Sequence, residues 1–143
     1  MQEDIFPDKL KNKLYSDNAI RVATFLGGPL VAGYLIAENY KQLGEADKIK
    51  LTWLYSVLAT IVVFVIAFLL PDSTPAPLLP IGYTVAAYYL VQKLQGAKIK
   101  AHIAGGGQMW PMWRAIVAGI IGLVIIVAIF FAIYLFIDQY YSA

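Results

Sequence analysis

Residues 24–33 read TFLGGPLVAG, a Gly-Gly-Pro set inside an apolar run that extends from Val22 to Ala37. As an unbroken helix that run would measure about 24 Å at 1.5 Å per residue, short of the roughly 30 Å hydrocarbon core of a bilayer. Gly27 and Gly28 can take positive φ and end a helix, and the fixed φ of Pro29 suits the first position of a new one. The stretch therefore predicts helix, break, helix over residues 19–43. The second helix is expected from Pro29 to about Gln42, where Gly44 offers a C-terminal cap. Backbone groups freed at membrane depth have to be buried in protein or face a wet cavity. Gly27, Gly28, Pro29 and Gly33 are accordingly read as a break that packs closely against other helices.

The rest of the chain fixes the solvent. Of its 143 residues 60% are hydrophobic and only 14% charged, and the mean hydropathy is strongly positive. That composition predicts an all-α integral membrane protein forming one domain over residues 1–143. A net charge of +2 and the absence of an extended basic tract argue against nucleic acid as a partner. With no cysteine, disulfides and thiolate metal sites are excluded.

Three transmembrane helices are expected, over residues 51–70, 78–95 and 113–137. The first, LTWLYSVLATIVVFVIAFLL, is uncharged, with Lys48 and Lys50 before it and Pro71 after it. The last is opened by Trp110, Trp113 and Arg114 and closed by Tyr134, Tyr140 and Tyr141, the aromatic belts of a spanning helix. The middle one is more polar, carrying Tyr83, Thr84, Tyr88, Tyr89 and Gln92, with Pro80 in its first turn and Lys93 snorkelling outward. Residues 1–18 read as a polar amino-terminal extension and residues 96–112 as a cytoplasmic loop.

Counting basic residues by loop tests whether the broken segment crosses. If it is a fourth kinked span, the lysines and arginines divide seven to four between the two sides. If it is a re-entrant or interfacial hairpin, all eleven fall on one side. Segment length, the Gly-Gly-Pro break and the charge count all favour the hairpin; a tilted, proline-kinked span is the alternative. With the hairpin, the basic loops and amino terminus are expected in the cytoplasm and the carboxyl terminus outside. Small residues four apart, Gly28/Ala32, Gly33/Ala37, Ala115/Gly119 and Ala118/Gly122, are candidate contact seams.

In QGAKIKAHIAGGGQMWPMW, residues 95–113, stand the only histidine and three consecutive glycines. Lys98, Lys100, His102 and Arg114 are candidate contacts for an anionic lipid headgroup. The plainer reading makes the lysines ordinary positive-inside charges and His102 a solvated loop residue. The glycines lack the spacing of a phosphate-binding loop and read as a hinge. One histidine and no paired intramembrane carboxylates leave little for catalysis or metal binding, so no catalytic, cofactor or metal residues are expected. Ser56 and Thr60 read as packing hydroxyls, and Glu38 as an interfacial carboxylate.

ATFLGGPLVAGYLIAENYKQLG together with LVQKLQGAKIKAHIAGGGQMWPMWRA resembles the pattern of an uncharacterised family of small bacterial integral membrane proteins: ATF-G-PLAG, NY-LG, QG-I-H and paired tryptophans before the last helix. The similarity covers residues 19–137. Val31 departs from the usual alanine, and Pro111 and Met112 separate the tryptophans. The resemblance implies no activity, only that the two unusual stretches belong to one architecture. The resulting expectation is a non-enzymatic accessory or scaffold subunit of a larger assembly in the bacterial inner membrane, in contact with membrane lipids and other integral membrane subunits. A small homo-oligomeric channel or transporter, or a lipid-binding membrane protein, are the alternatives.

Overall fold

The computed structural model describes residues 12–143. The part of the expected extension that falls on residues 1–11, including Lys9 and Lys11, lies outside them. Four helices follow: α1 (Asp17–Gln42), α2 (Asp47–Leu69), α3 (Leu78–Ala104) and α4 (Met112–Ser142). By length and apolar composition α1, α2 and α4 are each capable of crossing a membrane, and the chain is an all-α membrane protein.

α1 is not one straight helix. At Gly28 the backbone leaves the helix, with φ 78° and ψ −171°. The two arms then lie side by side, because the Tyr15 N–H donates to Asn39 Oδ1 at 2.7 Å and Asn39 Nδ2 donates to the Tyr15 carbonyl at 2.9 Å. A straight helix would hold Asp17 and Gln42 nearly 40 Å apart. The arms, about 16 Å for Asp17–Gly27 and about 21 Å for Pro29–Gln42 at 1.5 Å per residue, are each too short to cross. Only Gly28 of the expected pair has positive φ. Gly27 stays helical because its role is spacing: a Cβ there would stand 2.7 Å from the Gly119 carbonyl oxygen.

This hairpin is the hub of the fold. It packs against α2, α3 and α4, which touch one another little. The first arm meets α4 where Gly119 lies against Ala23, and a Cβ on Gly119 would come within 3.0 Å of the Ala23 carbonyl oxygen. The second arm meets α4 at Val31 and Gly122, and meets α2 where Gly33 leaves room for Ser56. Ala115, Gly119 and Gly122 are the buried residues of α4, and Ser56 alone is buried on α2. The apex is covered by Ile126, whose Cδ1 is the only atom a Cβ on Gly28 would approach within 4 Å, at 3.4 Å. The hairpin thus reaches from the start of α4 to near its middle.

The helices outrun the expected segments: α2 starts at Asp47 rather than 51 and α4 runs to Ser142 rather than 137. α1 begins at Asp17 rather than at the expected segment's start at 19, because Ser16 Oγ caps it by accepting from the Ala19 N–H at 3.1 Å. Residues 96–104, expected as loop, continue α3 to Ala104. Lysine, glutamine and alanine are good helix formers, and the helix stops only at the glycines; the true loop is residues 105–111. The expected span 78–95 is therefore part of a longer helix, too polar to join the three span-capable ones. α3 nonetheless returns along the thickness that α2 descends, since Lys98 near its end pairs with Glu45 just before α2. Of its polar side chains Thr84, Gln95 and His102 are buried, whereas Tyr89 is exposed.

Candidate functional site

Chemistry-bearing side chains gather at one end of the bundle, where Lys13 and Arg114 lie against Trp110 and Lys48 and Lys98 against Glu45. Residues 12–16 arrive there in extended form and run parallel to the loop before α4. Leu14 N–H donates to the Gln108 carbonyl at 3.3 Å and Trp110 N–H to the Leu14 carbonyl at 2.8 Å. On the other side of this short strand Asn39 acts as a surrogate β-partner, making both of its bonds to Tyr15 with one amide. Asn39 Nδ2 also donates to Gln95 Oε1 at 3.2 Å, and Gln95 Nε2 donates to the Ile36 carbonyl at 3.0 Å. Both amides are fully buried. A buried polar group costs free energy unless it is paired, and here each amide is satisfied by the backbone it organises. Gln92 Nε2 donates to the Asp17 carboxylate and so ties α3 to the first arm side chain to side chain, and Asn12 Nδ2 donates to the Gln42 carbonyl at 2.8 Å.

The candidate headgroup residues do not share one patch. Lys98 pairs with Glu45, which also accepts from Lys48 Nζ at 3.1 Å. The Lys98 ammonium holds the Glu45 carboxyl below its ordinary range. His102 is not a solvated loop residue: it is 6% exposed. Its Nε2 lies 2.8 Å from the Gln108 carbonyl, so a protonated Nε2 donates there and fixes the loop. The ring fills the space in front of Gly107, where a Cβ would collide with it. Arg114 stacks on Trp110 with its guanidinium carbon 3.8 Å from the ring centroid. Lys100 is exposed.

Deeper, the hairpin break is repaired by its neighbours. In an unbroken helix the Phe25 carbonyl would accept from residue 29, which is proline and has no N–H. Tyr83 Oη of α3 donates to that carbonyl at 3.2 Å instead, so one tyrosine of the expected Tyr83, Tyr88 and Tyr89 cluster serves the break. Tyr88 lies under the Arg21 guanidinium, 5.3 Å from carbon to centroid. Thr24 Oγ1 donates to the Ile20 carbonyl at 2.6 Å and Ser56 Oγ to the Trp53 carbonyl at 2.9 Å. Glu38 is half-buried near the end of the second arm.

A cleft of about 560 Å³ opens between the second arm, α2 and α4. Tyr34, Trp53, Trp113 and Arg114 stand at its mouth, and Leu30, Val117, Ile121 and Ile125 line its depth. Among the described residues no three histidine or carboxylate side chains converge to hold a metal.

Asn39, Gln95 and the buried His102 were not singled out as one site by the sequence, because Asn39 stands beside Glu38, Lys41 and Gln42 and Gln95 beside Gln92 and Lys93, where an amide reads as one more surface polar residue. Ser16 before Asp17, by contrast, is an N-cap signature. No protein-family model, no curated protein and no solved structure matches the chain.

Proposed function

We propose that this chain is a non-enzymatic integral membrane protein of the bacterial inner membrane that serves as an accessory or scaffold subunit of a larger membrane assembly, with its basic end in the cytoplasm. The observation that carries this reading is how lightly α2 is held. It is 23 residues long and buries Ser56 alone within its own chain, so nearly its whole circumference is left for other membrane components. The polar groups support the same reading, since Asn39, Gln95 and His102 are committed to holding backbone in place. The hairpin fills the middle of the bundle with side chains such as Ala19, Ala23, Leu35 and Ile36, all buried, where an oligomeric channel built around this segment would need a wet path. The basic end belongs in the cytoplasm by the positive-inside rule, since among the described residues Asp72 and Asp138 are the only charged side chains toward the other end.

Isolation in mild detergent tests the reading. The chain is expected to migrate with unrelated membrane subunits and to leave ion flux unchanged when reconstituted alone in liposomes. A symmetric homo-oligomer with reproducible conductance would instead establish the channel.

A further inference from the structure

The cleft beside α2 has the chemistry of a lipid site, and this holds independently of the scaffold reading. We infer that it binds one acyl chain of an anionic phospholipid whose phosphate pairs with Arg114. Arg114 is the only charged side chain lining the cleft among the described residues, and no carboxylate or amide side chain lines it. Its guanidinium is already held at the mouth by the Trp110 ring, at 3.8 Å, so little side-chain freedom is lost when a phosphate arrives. Arginine is also the side chain best suited to paired hydrogen bonds with phosphate oxygens.

Depth and closure fit a hydrocarbon chain. From Arg114 to Ile125 the wall of α4 descends about 16 Å at 1.5 Å per residue. Below that the Phe64 and Phe130 rings meet at 4.8 Å and close α2 onto α4. Tyr34 and Trp53, with ring centroids 6.3 Å apart, flank the mouth at the level where aromatic side chains meet headgroups. An apolar cavity of this kind does not hold ordered water, for want of partners. Glu38 stands one turn beyond Tyr34 along the arm, outside the lining; its charge is felt at Tyr34 as that of Arg114 is, so the phosphate is placed on the Trp110 side of the mouth, where the Arg114 guanidinium is held.

The test uses the full chain in phosphatidylcholine vesicles that contain a small fraction of lipid with brominated acyl chains, which quench tryptophan on contact. Trp53 and Trp113 report from the cleft. Brominated phosphatidylglycerol should quench with about fivefold preference over brominated phosphatidylcholine, the size of one basic side chain's attraction to an anionic headgroup. Arg114→Gln should abolish the preference. Lys50→Gln, which removes the same charge from an exposed position at the same end, should keep it. Val117→Phe, which intrudes on the cleft without adding charge, should reduce quenching by both lipids, and it carries the test if Arg114→Gln fails to fold. Equal quenching of the wild type by the two lipids, equal loss in Arg114→Gln and Lys50→Gln, or unchanged quenching in Val117→Phe would each overturn the proposal. So would a dimer that Val117→Phe dissociates while lipid preference is absent, which assigns the cleft to a second copy.

Discussion

Replacing Gly28 with alanine separates the two demands that a hairpin apex makes on its residue. Its φ of 78° with ψ of −171° lies in a region that is essentially reserved for glycine and costs an L-residue about 1–3 kcal/mol. Space is not limiting, because the nearest atom to an added Cβ is Ile126 Cδ1 at 3.4 Å, an ordinary contact. The whole cost is therefore backbone strain. Gly82 in α3 provides the opposite case. It is helical and exposed, a Cβ there meets nothing within 4 Å, and alanine should gain up to about 1 kcal/mol of helix propensity. Thermal unfolding in detergent, followed by tryptophan fluorescence, measures both. With about 2–4 °C per kcal/mol for a chain of this size, Gly28→Ala should melt about 2–12 °C below the wild type and Gly82→Ala at or slightly above it. If Gly28→Ala melted at or above the wild type, the chain would not turn at residue 28.

The other connections make separate predictions. Asn39→Ala leaves the Tyr15 N–H and carbonyl and Gln95 Oε1 without their buried partner, and it should cost about 2–4 kcal/mol by the usual penalty for orphaned polar groups; protease cleavage near residues 12–16 should accelerate with the lowered melting temperature, whereas exposed Lys41→Ala should change neither. Tyr83→Phe removes the donor to the Phe25 carbonyl and should cost about 1 kcal/mol, while Pro29→Ala should remain near wild type because the start of the second arm leaves that N–H unpaired; unfolding curves of the two variants compare them. Because the folded carboxyl of Glu45 is held low by Lys98, its contribution is present above the ordinary glutamate range and fades as pH falls through the lowered value, below about pH 4. A melting series against pH should show a small acid loss that Glu45→Gln removes, small because the pair is open to solvent and salt.

The break was legible because its cause is local. Gly-Gly-Pro interrupts a run too short to span, and the basic residues then sort to one side. Which glycine turns and which one packs was not legible, because that depends on Gly119 of α4 meeting Gly27, a contact nearly a hundred residues away. The junction is hidden for the same reason. Asn39 and Gln95 look like ordinary polar residues among polar neighbours until α3 is placed against the second arm, and His102 looks like a loop residue until the glycines after it carry the chain back over its ring. Lys98 was legible as a basic residue of one face, but its pairing with Glu45 depends on where α3 ends, and polarity alone misplaces that end.

The hairpin is tested most directly by the sidedness of its two ends. In a chain with no native cysteine, single cysteines at Lys13, Lys41, Lys100, Asp72 and Ser142 can be labelled in intact cells with a membrane-impermeant thiol reagent, and again after lysis. With the basic end inside, positions 13, 41 and 100 should react only after lysis, and 72 and 142 before it. Labelling of positions 13 and 41 from opposite sides of the membrane would show that α1 crosses, and would contradict the re-entrant hairpin on which the fold is built.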